Sequence, residues 1–568
     1  MENQMEKEGE EHIFRSQFPA VPVPENLTVT EFVLQDWHLY ADNVAIVEAQ
    51  TGKQHTYSQL VHHINSFRRA LKSAFSIKKG DVVLVALPNI VEYPAIALAI
   101  MSTGGVFSGV NPAAHPSEIL KQATDSEARL VVANNAYYEK VAHLEIPKVI
   151  IGESAKDTAG AFSYEDILNR GGDEIHDASK TQGSLIGKML DVDDGEMVTP
   201  DDLCALPYSS GTTGTSKGVM LTHRNIVANL CSTLFDVPAE LIGKYTTLGL
   251  MPFFHIYGIM GICCATIRNK GKVVAMSRFD LRAFLNALIE YEVNFAPIVP
   301  PVILMLVKNP VVEGFDLKRL KLKAIMTAAA PLAPELLRSF EEKFPGVEVQ
   351  EAYGLTEHSC ITLTHCGPSH ARGNAKRNSV GFILPNLEVK FVDSDTGRSL
   401  PKSTVGEICV RSKCVMKGYF KNKEATEQTI DSQGWLHTGD IGYIDDDGDI
   451  FIVDRVKEMI KYKGFQVAPA ELEAILLSHP SVEDVAVIPL PDEEAGEVPA
   501  ACVVMAPKSK ENEEDIMKFV ASNVASYKRV RVVHFVETIP KSASGKIMRK
   551  FLKESILKRL NKRPVPGT

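Results

Sequence analysis

The sequence predicts an α/β protein: a large N-terminal domain of layered βα subdomains with a small β-rich subdomain, then a smaller α+β C-terminal domain. Three observations carry this. From about residue 79 to 299, short apolar runs alternate with amphipathic helical stretches. Residues 379–454 change to strands with tight turns, and the chain after Arg455 mixes strands and helices anew. At 568 residues it exceeds what one compact core supports.

In order, DVVLVALPN, ARLVVAN, PKVIIG, TTLGLMPFF, KVVAMSRF and LKAIMTAAA read as buried, mostly parallel strands. The Ala/Ile-rich run after Tyr93, DLRAFLNALIEYEV and PELLRSFEEKF read as the helices between them. LEVKFVDSDTGRSL and IGYIDDDGDIFIVDR are hairpin-like, with T-G or D-G at the turn. The acidic run Asp445–Asp449 is read as that turn, because its spacing does not fit a calcium loop. A helix opens after Pro469 with Leu472, Ile475 and Leu476 at helical spacing. The domain boundary is placed at a short hinge, giving residues 1–456 and 457–568. No solenoid repeat is found.

The formal net charge of −10 argues against nucleic acid as a partner. A hydrophobic content of 45% is ordinary for a soluble enzyme. Nine cysteines, an odd number with no C-x-x-C, do not read as disulfides or a zinc site; the adjacent Cys263 and Cys264 read as buried thiols, and a reducing compartment is expected. Tyr93–Val110, the most apolar stretch, is broken by Ser, Thr and paired Gly and reads as a buried helix, not a membrane span. The acidic start and the VPGT end carry neither a secretory leader nor a peroxisomal address. A cytoplasmic enzyme is expected, with endoplasmic-reticulum association as a second option. The basic tail from Lys546 is read as a partly packed terminal helix; peripheral attachment to a membrane surface is the alternative. The sequence does not give the oligomeric state.

The sharpest chemical signal is Ser209-Ser210-Gly211-Thr212-Thr213-Gly214-Thr215-Ser216-Lys217-Gly218, set between two apolar runs. Small residues let the backbone approach an oligophosphate, successive N–H groups form an anion nest, and Lys217 adds a mobile charge. The kinase and GTPase phosphate loop needs Gly before the lysine and Ser or Thr after it. Here Ser216 and Gly218 hold those places, so that reading fails.

This segment resembles the signature of the adenylate-forming enzymes: acyl-CoA synthetases, 4-coumarate–CoA ligases, luciferases and peptide-synthetase adenylation domains. Four further segments resemble the family in its order: Tyr353–Glu357, Gly434–Asp440, Asp454-Arg455 through Lys461–Gln466, and Pro540–Lys546. VAPAELEAILLSHP resembles the plant 4-coumarate–CoA ligase-like branch, and within it the anther fatty acyl-CoA synthetases of sporopollenin biosynthesis. The resemblance implies that a carboxylate attacks the α-phosphate of ATP, and that the thiol of coenzyme A then takes the acyl group. It implies that the loop from Ser209 to Lys217 holds the outer phosphates. Tyr353, Gly354 and Thr356 would bind the nucleotide, Glu357 would hold Mg²⁺, and Asp440 with Arg455 would hold the ribose. Lys546 would bridge carboxylate and α-phosphate. It also implies that the C-terminal domain is mobile about Lys457, withdrawing Lys546 and presenting Lys461 and Gln466 for thioester formation. Lys463 and Gly464 would then lie at the CoA.

By the same resemblance the acyl pocket is expected around His255, Tyr257, Ala328, Ala329, His358, Cys360 and Ile361. Here the chain departs from true 4-coumarate–CoA ligases, with Ala328 for Gly, His358 for Ala, Cys360 for Pro and Ser412 for Gly. These departures turn the expectation toward medium- to long-chain fatty acids, hydroxylated ones included, with hydroxycinnamates as the alternative. A luciferase-like oxygenase and an inactive nucleotide-binding module rank lower, since every charged residue the chemistry needs is present.

Overall fold

Runs rich in Val, Ile and Ala pack as strands whose two faces are both covered by helices, and the parallel sheets follow from that. The computed structural model describes residues 11–152, 161–170, 197–209, 216–328, 332, 334–365, 375–393, 395–463, 465–492, 494–507, 509–542 and 546–561. Two nine-stranded sheets form the body. In the first, the parallel strands Val82–Ala86, Val106–Gly109, Leu130–Asn134 and Lys148–Ile151 are continued through Leu203–Ala205 to Lys217–Thr222. In the second, Lys272–Ala275, Thr246–Gly249, Phe295–Ile298, Ala324–Thr327 and Glu348–Leu355 run parallel, and Ser359–Leu363 returns antiparallel. Tyr93–Ser102 is a helix buried along its whole length. No helix among the described residues is long and apolar enough to cross a membrane. The eight described cysteines are free thiols, seven of them buried.

The β-rich region is a five-stranded antiparallel sheet whose edge strand, Phe14–Arg15, comes from the far N-terminus. Its acidic turn is held by Asp445, whose Oδ1 accepts from the N–H groups of Asp447 and Asp449 at 3.0 and 2.9 Å. The C-terminal part is a smaller α+β unit. A five-stranded sheet built on the long hairpin Val482–Asp492/Gly496–Met505 carries the helices Pro469–Leu477, Glu513–Ala521 and Arg549–Asn561. The half-buried Arg549 ties it together by reaching both Glu458 and Glu473. It meets the body where the Ala470 N–H donates to Asp454 Oδ2 at 3.0 Å.

Candidate active site

Glu348–Leu355 ends on Tyr353, Gly354 and Leu355, and the chain turns through Thr356, Glu357 and His358 into Ser359–Leu363. Carboxyl ends of parallel strands are where open α/β sheets form ligand crevices. Gly354 allows the return, because a Cβ there would lie 2.1 Å from the Ser359 carbonyl oxygen. At this edge opens a cavity of about 980 Å³.

One wall belongs to the phosphate-loop region. The Lys217–Thr222 strand pairs with Gly418–Tyr419, which puts the Tyr419 ring 4.7 Å from Lys217 Nζ. Glu357 Oε1 accepts from the Tyr419 hydroxyl at 2.9 Å and the Ser209 hydroxyl at 3.0 Å. Glu357 has no ion pair among the described residues, so a hard anionic oxygen is fixed beside the cavity without a cation. Ser210, Gly211, Thr212, Thr213 and Gly214 lie outside the described residues.

Opposite, cross-strand pairing sets Asp440 against Arg455, with Arg455 Nε 3.1 Å from Asp440 Oδ1. The Tyr353 hydroxyl donates to Asp440 Oδ2 at 2.8 Å. Burial raises the Asp440 carboxyl above its usual range, and Arg455 and Tyr353 oppose that rise. The segment before it is pinned by Glu407, which accepts from the Gly439 N–H at 3.1 Å and pairs with His437 at 2.9 Å.

From the C-terminal unit, Ser542 and Lys546 face the same cavity, as do Arg455 and Lys457 at the joint. The Lys546 N–H donates to Ser542 Oγ at 3.2 Å. Burial, then the neighbouring Arg455 guanidinium, push the Lys546 ammonium below the ordinary lysine range, while Glu458 and Asp440 pull it up. Lys461 and Lys463 are not at the cavity. Both are exposed on or beside the hairpin Ile460–Tyr462/Phe465–Val467, and Lys463 pairs with Glu494. Gly464 and the Gln466 side chain lie outside the described residues.

Of the acyl-pocket residues, His255, Tyr257, Ala328 and Cys360 line the cavity. Ala329 lies outside the described residues. His358 and Ile361 correct the expectation: both are fully buried and absent from the cavity wall. The turn after Leu355 reverses the alternation of faces, which sends the His358 ring inward. There its Nε2 meets Ser412 Oγ at 2.8 Å, and burial pushes its pKa down to about 3. The His358 and Ser412 departures are therefore one packed pair. Tyr419, the hydroxyl donor to Glu357, was missed; a lone Tyr in KGYF offers no signal by itself.

Residues 35–420 match the family model "AMP-binding enzyme", and residues 471–546 match "AMP-binding enzyme C-terminal domain". The chain belongs to the AMP-binding enzyme family. Among members of that family, it is 65% identical to "4-coumarate–CoA ligase-like 1" of Arabidopsis thaliana over 98% of this chain and 99% of the other. It is 59% identical to "4-coumarate–CoA ligase-like 9" of Oryza sativa subsp. japonica, over 98% of each chain. Among solved structures it resembles ATP-bound MatB from Rhodopseudomonas palustris, with TM-score 0.79 and 26% identity across 93% of this chain and 99% of that one.

Proposed function

We propose that this acid–CoA ligase activates medium- to long-chain fatty acids, hydroxylated ones included, as acyl-adenylates and transfers them to coenzyme A. The observation that carries the reading is convergence at one end of one cavity. Lys546 and Arg455 approach it from the C-terminal side, and Lys217, Ser209 and Glu357 from the phosphate-loop side.

A carboxylate and a triphosphate repel each other, so the first step needs fixed positive charge between them. Lys546 is suited to that place, since it lines the same cavity as Arg455 and Lys217. Lys217 would meet the outer phosphates. Tyr353 and Gly354 would border the nucleotide, and the Asp440–Arg455 pair would take the ribose hydroxyls. Thr356 would contact the α-phosphate. Glu357, held by two hydroxyl donors and no cation among the described residues, fits Mg²⁺, which prefers carboxylate and phosphate oxygens and would offset phosphate charge when bound. For the second step, rotation about Lys457 would withdraw Lys546 and bring Lys461 and Gln466 to the cavity, with Lys463 and Gly464 toward the anionic CoA.

The apolar floor formed by Met326, Ala328 and Ala352 favours an alkyl chain. The names of the two plant relatives favour the second reading, a hydroxycinnamate. A panel of both acid classes, assayed for CoA-dependent AMP release, tests the choice. Fatty acids are expected to exceed 4-coumarate by about tenfold or more, the scale of a few well-packed methylenes; faster turnover of 4-coumarate would reverse the assignment.

A further inference from the structure

The acyl cavity does not end beneath the strands. Its wall reads Ala324, Met326 and Ala328 on one strand and Glu348, Gln350, Ala352 and Gly354 on the next. From Ala324 to Met326 and from Glu348 to Ala352 this is period-two alternation, with Tyr353 and Leu355 joining the wall beyond. Across from it, Tyr257, Met260, Gly261, Ala265 and Asn269 line the cavity at helical spacing, from the π-helical stretch Tyr257–Cys264 into the helix Ala265–Arg268 and the residue beyond it. Gly261 lets the Tyr257 ring pack against this helix; a Cβ there would sit 2.6 Å from that ring.

At the far end the lining residues are Lys244, Asn294, Lys323 and Glu348. Each stands at or just before the first residue of a strand, at the edge of the sheet opposite Thr356 and Lys546. Lys244 and Lys323 are exposed. From Gly354 back to Glu348 the path covers about 20 Å, at ~3.3 Å per strand residue. Its middle is walled by small and apolar groups. Toward the far end Gln350 and the hydrogen-bonded Thr247–Thr266 pair make it polar, with 2.9 Å between the two hydroxyl oxygens.

We infer that the acyl site is a tunnel with a second mouth between the amino ends of these strands, through which the tail of a long acid leaves the protein. A blind pocket caps chain length, because each methylene beyond its end must displace packed atoms. An exit sets no such cap, and a polar, charged rim solvates whatever group the tail carries. The substrate class is therefore long-chain acids that tolerate a bulky or polar terminus. This rests on the acid–CoA ligase reading above.

The test uses the full-length enzyme with ATP, Mg²⁺ and CoA, measuring acyl-CoA formation from an unmodified long-chain acid and two conjugates. Each conjugate carries a rigid polycyclic dye at its terminal carbon, one on a chain much shorter than the tunnel and one on a chain longer than it. The long conjugate should be turned over within a few-fold of the unmodified acid, and the short one should not react. Rejection of both conjugates while the unmodified acid reacts would mean a blind end and overturn the inference. Acceptance of both would also overturn it, since the dye would then not be excluded by the tunnel. If no acid of any kind reacts, the ligase reading fails instead. Ala324→Trp, which narrows the far end, should cost the long conjugate about tenfold relative to a short plain acid. Equal loss for both substrates, with melting unchanged, would count against the exit.

Discussion

Two lysine-bearing segments of the C-terminal unit stand in opposite situations. Ser542 and Lys546 are half-buried and line the cavity, where the lysine feels Arg455, Glu458 and Asp440. The hairpin carrying Lys461 exposes that side chain to solvent, and the Lys461 N–H donates to Glu497 of its own sheet at 3.0 Å. Both segments belong to one small sheet-and-helix unit, yet only one reaches the cavity. Under the proposed rotation the two faces would serve one site in turn, and here it is Lys546 that lines the cavity.

The comparison breaks most sharply at Lys546. Lys546→Ala should reduce pyrophosphate exchange by about 10²–10³-fold, the scale of losing one fixed charge at a developing anion. Acyl-CoA formation from supplied acyl-adenylate should persist. Equal loss in both assays would mean that the two faces are not functionally separate.

A smaller effect is expected at the joint. Lys457 sits in the turn where the Glu458 N–H bonds to the Arg455 carbonyl at 3.0 Å. Proline fixes φ and restricts the preceding residue, so Lys457→Pro stiffens this turn. Thioester formation should fall on the order of tenfold or more, since ~1 Å of misplacement can cost about 10²-fold, with pyrophosphate exchange less affected. Measuring the two half-reactions separately decides it; the opposite order would remove Lys457 as the pivot.

The third prediction contrasts the cavity face of the Thr356–Cys360 turn with its buried face. His358 is held neutral, its pKa lowered from 6.5 to about 3 by burial. As pH falls below 6.5 the unfolded chain takes up a proton that the folded chain refuses. The stability this group contributes is therefore complete above 6.5 and drains as pH drops toward about 3. His223 behaves alike, lowered to about 4, with Nδ1 accepting from the Val29 N–H at 3.0 Å. His358→Gln should flatten the acid side of the stability curve by up to ~1.4 kcal/mol per pH unit, one proton's worth, in denaturant titrations from pH 7 to 4. An unchanged slope would contradict the assigned neutrality. Because the ring faces Ser412 and not the cavity, relative rates across the acid panel should stay nearly constant.

That residue also shows where the sequence stops being readable. The order of the motifs around Tyr353, Asp440, Arg455 and Lys546 was legible because each motif keeps its chemistry in a few adjacent residues. The alternation of apolar runs gave the two large sheets for the same local reason. Which side of a turn faces a cavity is not local. His358 was expected in the pocket by resemblance alone, and its partner Ser412 stands 54 positions away. The edge strand Phe14–Arg15 pairs with Glu388 and Val389, a contact no periodicity announces. The far end of the tunnel was equally hidden, since Lys244, Asn294, Lys323 and Glu348 meet only when the strands line up.

The smallest expected effect returns to the solvent-facing hairpin. Lys463 has a positive φ of 47° and an ion pair with Glu494. Exposed pairs of this kind contribute little to stability, because water screens them and both side chains lose freedom. Lys463→Ala should leave the melting temperature unchanged. If rotation brings this hairpin to the cavity, however, its charge would then face the phosphates of CoA. The KM for CoA should rise a few-fold, more at low salt than at high, with KM for ATP untouched. A rise in the ATP constant instead would place Lys463 at the nucleotide in the first half-reaction, and the division of labour between the two faces would have to be redrawn.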